Sequence, residues 1–371
     1  MNDTANTFDI EAYMSAGVEN VIKGIIKTSF FCPEQTAFMA KFALAAKKAQ
    51  AKRREYNDSG THIPPFLIAS ITSVCNLHCA GCYARSLSTC TDDAPVSQLS
   101  ASDWSANFKE ASALGISFIL LAGGEPLVRK DVIEQAALFP DILFPIFTNG
   151  TLLTDEYMKL IDRHRNLIPI LSIEGGPEKT NLRRGSGIYE FVSNAMSNMK
   201  KKHIAFGASI TVTSENLKEV MSDDFINGLM KQGCRAVIYV EYVPVSEETM
   251  QLAPDDSDRD YFNGRLLEIR KKYDDTLFIA FPGDEKNSDG CLAAGRGFFH
   301  INSTGGAEPC PFSPYSDINI KNTSLLDAIN SKLFTALRDG DILKEDHKGG
   351  CVLFERRQLV EKLLKDGSDK L

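Results

Sequence analysis

The chain has 371 residues, of which 43% are apolar and 24% charged, a balance that suits a globular protein with a full core. A net charge of −8 argues against a nucleic-acid partner, which selects a basic excess. No segment offers the ~18–20 apolar residues of a membrane span. Residues 1–10 also lack the basic-then-apolar order of a secretory signal, so a cytoplasmic location is expected.

The first 60 residues read as a helical segment. Between Asp9 and Lys27 the apolar positions Ile10, Tyr13, Met14, Val18, Val21, Ile22, Ile25 and Ile26 recur at spacings of three and four, the mark of an amphipathic helix. A second helix is expected from Glu34 to about Tyr56, ending in a basic stretch (Lys47, Lys48, Lys52, Arg53, Arg54). The expectation is a cap packed on the following domain. A partner- or peptide-binding module is an alternative, and so is a membrane-surface anchor, which Asp9, Glu11 and Glu19 oppose.

From residue 66 short β-rich runs alternate with helical patterns. The expected strands are Phe66–Ile71, Ser117–Leu121, Leu143–Phe147, Leu167–Ile173, Ala205–Val212 and Ala236–Val243. Helical patterns lie near 101–113, 131–139, 154–164, 187–202 and 215–232. Repeated β–α units imply a parallel sheet. Periodicity alone leaves an open sheet and an incomplete barrel both possible. After Pro244 the alternation stops, apart from a helix near Asp258–Lys272. A hairpin follows, Arg296–Ile301 and Ala307–Cys310 around Ser303-Thr304-Gly305-Gly306, then two helices near 323–338 and 351–365.

Chemistry concentrates in the cysteines. Nine in a cytosolic chain point to metal or redox work more than to disulfides. Cys75, Cys79 and Cys82 follow the first strand with the spacing C-x3-C-x2-C. Three thiolates on one loop suit a [4Fe–4S] cube, which normally takes four, so one iron is left open. A zinc site completed by His78 is the plainer alternative, but His78 sits between two cysteines that would both bind. Cys32 and Cys90 read as packing or surface residues, and Cys234 falls at the opposite end of its strand.

This triplet resembles the defining motif of the radical S-adenosylmethionine (radical SAM) superfamily, and further landmarks follow in order. Gly123-Gly124-Glu125-Pro126 resembles the family's GGEP motif, Thr148-Asn149-Gly150 its TNG turn, and Ser172-Ile173-Glu174-Gly175 its S-x-D/E-G turn. Arg184-Gly185-Ser186-Gly187 resembles an R-G-x-x-G segment with one residue fewer between its glycines, and Arg183 competes for its role. Ser209-Ile210-Thr211-Val212 resembles the fifth-strand S-x-T-V. Tyr83 follows the last cysteine, where the family usually has an aromatic residue before it.

The resemblance implies a partial (β/α)6 TIM-like barrel over 61–245, with sites at the C-terminal strand ends. It implies S-adenosylmethionine on the open iron, contacted by Tyr83, Gly123, Gly124, Glu125, Asn149, Ser172, Glu174 and Arg184, with Glu125 at the amino group and Arg184 at the carboxylate. One electron, from a reductant such as flavodoxin or ferredoxin, then gives a 5′-deoxyadenosyl radical that takes hydrogen from the substrate.

Cys291, Cys310 and Cys351 add a second feature. Their C-x13-G-x4-C spacing with a later Cys resembles the SPASM and twitch extensions of that superfamily, which hold auxiliary clusters. The C-x2-C-x5-C-x3-C run of a full SPASM domain is absent, so one auxiliary [4Fe–4S] cluster is expected in a small α+β domain over 246–371. Its fourth position is left to Asp284, Asp289, an arginine or an open iron. The function expected is an oxidoreductase acting on a peptide or protein. A small-molecule dehydrogenase or carbon–carbon bond-forming enzyme is the first alternative, and a non-catalytic iron–sulfur or zinc protein the second.

Overall fold

The computed structural model describes residues 33–281, 290–344 and 350–368, together with residues 14, 16, 19–20, 22–24 and 26. Most of the expected Asp9–Lys27 helix, Cys32, Asp284 and Asp289 lie outside the described residues. Among the described residues nine strands form one sheet in the order β7-β6-β5-β4-β3-β2-β1-β8-β9. They are β1 (Phe66–Thr72), β2 (Phe118–Gly123), β3 (Phe144–Thr148), β4 (Leu167–Ser172), β5 (Gly207–Val212), β6 (Ala236–Glu241), β7 (Leu277–Phe281), β8 (Phe298–Ile301) and β9 (Ala307–Glu308). All neighbouring pairs are parallel except β8 with β9. The sheet does not close, so the incomplete barrel is the form adopted.

Two features differ from the sequence expectation. Leu277–Phe281 is a seventh parallel strand beside β6, where an irregular segment was expected. The first strand of the expected hairpin also does more than pair with its partner: β8 lies parallel against β1, with Phe66 opposite Phe298 and Ile68 opposite His300. Residues beyond 245 therefore extend both edges of the barrel sheet.

The helices cover the outside. Helix α1 (Pro33–Asp58) starts with proline at its first position, where no amide hydrogen is needed, and is rich in alanine. It crosses the N-terminal ends of the strands. Met39, Phe42 and Ala46 pack there with Phe118 and Leu143, and the Phe42 ring meets Phe118 edge-on at 5.6 Å. Buried Arg53 donates to the Gly115 carbonyl at 2.7 Å, and Gln35 donates to the Arg165 carbonyl at 3.2 Å. Helix α1 is thus a floor under the barrel.

Helix α2 (Ala101–Leu114) shows how locally the sequence fixes its elements. Ser100 and Asp103 form a capping box at its start, and Gly115 at φ +87° ends it. Its buried face, Trp104, Phe108, Ala111 and Leu114, joins the main core. The remaining helices used below are α3 (Lys130–Ala136), α4 (Asp155–Arg163) and α5 (Pro177–Arg184). No helix among the described residues is long and apolar enough to cross a membrane.

Along each strand alternate residues point outward to the helices or inward to the lumen. In β1, Leu67, Ala69 and Ile71 are buried under helices, while Phe66, Ile68 and Ser70 are half-buried and face inward. Register carries the inward row across to Ala122, Ser172, Ser209 and Thr211 near the C-terminal ends. The lumen is apolar low down and gains small polar groups at its mouth.

Candidate active site

The cysteine triplet occupies the loop after β1, at that mouth. A shift in register between Ser70 and Thr72 lets the strand end turn over, and the loop is then tied down from three sides. Gly124 N–H donates to the Thr72 carbonyl (2.9 Å) and Glu125 N–H to the Val74 carbonyl (2.8 Å). Ala80 N–H donates to the Arg183 carbonyl at the end of α5 (2.8 Å). Asn149 Nδ2 donates to Asn76 Oδ1 (2.9 Å), and Asn76 Nδ2 to Thr151 Oγ1 (2.8 Å).

Two glycines are required by close approach. A Cβ on Gly124 would stand 2.2 Å from the Val74 carbonyl oxygen, and one on Gly81, at φ +64°, would stand 2.7 Å from Tyr242 Oη. The GGEP and C-x2-C glycines are therefore the places where the loop backbone meets its supports.

Cys75, Cys79 and Cys82 are half-buried and free of disulfides. The Cys90 thiol hydrogen bonds Cys75, and with the Leu77 amide as a further donor it holds the Cys75 thiol down at about 6. Cys79 runs the other way, raised by burial, with Arg184 opposing. Cys90, expected as a packing or surface residue, is buried and packs directly on the triplet.

The expected cofactor residues reach the same mouth, and several are already committed. Glu125 is fully buried: Oε1 accepts from Thr148 Oγ1 (2.7 Å) and Leu127 N–H (3.0 Å), and Oε2 from Asn149 N–H (2.8 Å). Burial raises its carboxyl to about 7 against those three donors. Its oxygens thus join the GGEP and TNG turns. Glu174 is equally buried. It pairs with Arg184 Nη2 and, at 3.4 Å, with Arg183 Nε, and accepts from Thr211 N–H (2.9 Å). Arg184 Nη1 reaches Cys79 Sγ at 3.9 Å. A chain of polar contacts thus runs from Thr211 through Glu174 and Arg184 to the triplet. Ser172 stands on the inward row in register with Ser209.

The triplet's donor set fits a cluster. Among the described residues no three Cys, His, Asp or Glu side chains close on one point as the ligands of a single ion do. A cube asks for a looser arrangement, because each thiolate binds a different iron. Buried Arg184 Nε and Tyr242 Oη have no hydrogen-bond partner among the described residues, as expected where a polar group would sit.

The second cysteine group assembles from distant sequence. Cys291 N–H donates to the Leu343 carbonyl (2.7 Å), and Arg296 Nη1 to the Cys291 carbonyl (2.6 Å). Cys310 is buried; its thiol is pushed well up by a hydrogen bond with Cys351, by burial and by nearby Cys291, while Phe312 N–H donates to its sulfur. The expected trio is therefore brought together. Cys234 is excluded from both groups: its buried thiol donates to the Ala236 carbonyl (3.2 Å) at the foot of β6.

The two groups meet through Tyr83, whose ring centroid lies 4.6 Å from that of Phe312. Burial pushes the phenol well up, and both Cys82 and Cys310 add to it. Sequence reasoning missed a buried chain beside this pair. Ser70 Oγ and His300 Nε2 are 2.7 Å apart, His300 Nδ1 and Glu308 Oε2 are 2.7 Å apart, and Asn302 Nδ2 donates to Glu308 Oε1 (2.6 Å). Only the pairing of β8 with β1 joins Ser70 to His300, so no local pattern announces it.

Comparison with known proteins gives these residues a context. Residues 69–224 match the Radical SAM superfamily. The chain is 26% identical to the AdoMet-dependent heme synthase of Methanosarcina barkeri, covering 81% of this chain and 90% of that one. It is 27% identical to the PqqA peptide cyclase of Rhizobium meliloti, covering 76% and 78%. Other relatives are spanned less fully, over 39% and 61% of their own length. Among solved structures, Streptococcus suis SuiB bound to S-adenosylmethionine superposes with a TM-score of 0.64 at 17% identity, over 82% of this chain and 75% of that one.

Proposed function

This chain belongs to the radical S-adenosylmethionine superfamily, and on that premise we propose that it is an oxidoreductase with one auxiliary [4Fe–4S] cluster that modifies a peptide or protein. The observation that carries the reading is the gathering of Cys291, Cys310 and Cys351 beside Tyr83, one residue from the catalytic triplet. A second thiolate group at that place serves a substrate-derived electron or holds the substrate itself.

Cys75, Cys79 and Cys82 hold the catalytic cluster, which with S-adenosylmethionine supplies a carbon radical able to take hydrogen from an unactivated C–H bond. The protein's part is placement. Glu125 fixes the turn that carries Gly123, Gly124 and Asn149, so the backbone at the mouth is rigid where the cofactor's amino group is expected. Glu174 holds Arg184 with Nε unspent, a charge suited to the cofactor carboxylate. Ser172 and Ser209 offer hydroxyls to its ribose. The apolar inward row lower in the lumen excludes water from a radical. Residues 61–245 carry this chemistry and 246–371 the auxiliary cluster.

The peptide reading draws on the PqqA peptide cyclase relative. A second reading has its own support: the heme synthase relative aligns over 90% of its length and would make the substrate a tetrapyrrole. Anaerobic reconstitution separates them. The reduced protein is expected to release 5′-deoxyadenosine, and mass spectrometry then shows whether peptides encoded beside the gene, or an iron tetrapyrrole, change mass. No 5′-deoxyadenosine with any substrate would sink the enzyme reading.

A further inference from the structure

Three thiolates leave the auxiliary cube one protein ligand short. We propose that Ser313 supplies it, through its side-chain oxygen; this rests on the auxiliary-cluster reading above.

The local backbone is already shaped for two ligands. Cys310-Pro311-Phe312-Ser313 is a tight turn in which Ser313 N–H donates to the Cys310 carbonyl (2.9 Å), while Phe312 N–H donates to the Cys310 sulfur. A C-x2-C pair at a metal site uses this same spacing. Ser313 stands where the second cysteine of such a pair would.

Ser313 is fully buried, yet its Oγ has no hydrogen-bond partner among the described residues. Leaving a buried hydroxyl unbonded is unfavourable, so such groups ordinarily find a partner. No cysteine sulfur lies within hydrogen-bonding reach of Oγ. The oxygen stands in the same turn as Cys310 and is uncommitted, as a ligand to an iron of the cube would need to be. Arg296 donates to the Cys291 carbonyl and carries the wrong charge for a ligand. Ligation forms an iron–oxygen bond and breaks the O–H bond; the proton passes to solvent and no electron moves.

The test uses the full chain carrying Cys75→Ala, Cys79→Ala and Cys82→Ala, reconstituted anaerobically so that only the second cluster remains. About four irons per chain are expected, and they should survive mild oxidation. Adding Ser313→Ala should convert the oxidised cluster to a three-iron form, read as about one iron lost and a new electron paramagnetic resonance (EPR) signal. Adding Ser313→Cys should keep about four irons with a changed spectrum in the reduced state, and it serves where the alanine variant does not fold. If Ser313→Ala keeps its iron and the parent spectrum, or Ser313→Cys leaves the spectrum unchanged, the assignment is overturned while the auxiliary cluster stands. Near-zero iron in the triple-alanine parent overturns both.

Discussion

The two cysteine groups are built by opposite means. Cys75, Cys79 and Cys82 lie within eight residues on one loop, so their proximity is a property of local chain length. Cys291, Cys310 and Cys351 span 61 residues and meet only because β8 docks on β1 and a C-terminal turn returns to them. The first group is held at a half-exposed mouth by backbone hydrogen bonds and a buried carboxylate–guanidinium pair. The second centres on a fully buried cysteine with a buried hydroxyl close by. The difference teaches that a group set on one short loop can stay open and be braced from behind, whereas a group gathered from distant sequence is closed in by the packing that gathers it.

The sharpest break in this comparison is substitution of one cysteine from each group. Cys79→Ala is expected to abolish 5′-deoxyadenosine release, whereas Cys310→Ala should leave release measurable and stop substrate turnover; chromatography of both products separates the two. Next in size is Glu174→Gln. It strips the buried counter-charge from two half-buried guanidiniums, and a broken buried pair costs up to ~3–5 kcal/mol, read as a lower denaturation midpoint together with weaker S-adenosylmethionine binding.

A smaller effect concerns pH and only the first region. Glu125 has its folded-state value raised from 4.5 to about 7, so the fold holds that proton more tightly than the unfolded chain does. Its contribution to stability is full below 4.5 and is lost as pH rises through 7. The cluster-free protein should therefore lose stability over that window, and Glu125→Gln should flatten the slope, measured by denaturant melts at a series of pH values. The smallest effect tests the seam between regions. Phe312→Leu removes the ring that meets Tyr83, worth ~0.5–1.5 kcal/mol, and should broaden the EPR lines of both clusters without loss of iron.

Much of this was legible from sequence, for stated reasons. The first six strands are apolar runs between helical stretches, and α2 carries its own start and stop signals in Ser100, Asp103 and Gly115. The triplet and the turns at Gly123, Thr148 and Ser172 declare themselves because each is short-range. Leu277–Phe281 was missed because five residues after an acidic turn give no periodicity to count. The α5 helix was missed because it is brief and polar, with Thr180 its sole buried residue. Glu125 was read as a ligand contact; its partners Thr148 and Asn149 lie 23 and 24 residues on, across a strand pairing. Ser313 was missed because serine is common, and only its burial without a partner singles it out. The signal available was the spacing to Cys310.

The floor laid by α1 has a consequence for traffic. With Phe42 set edge-on against Phe118, the end of the sheet opposite the cysteine loop is covered. A ligand that reaches the loop therefore approaches from the C-terminal ends of the strands and not from beneath them.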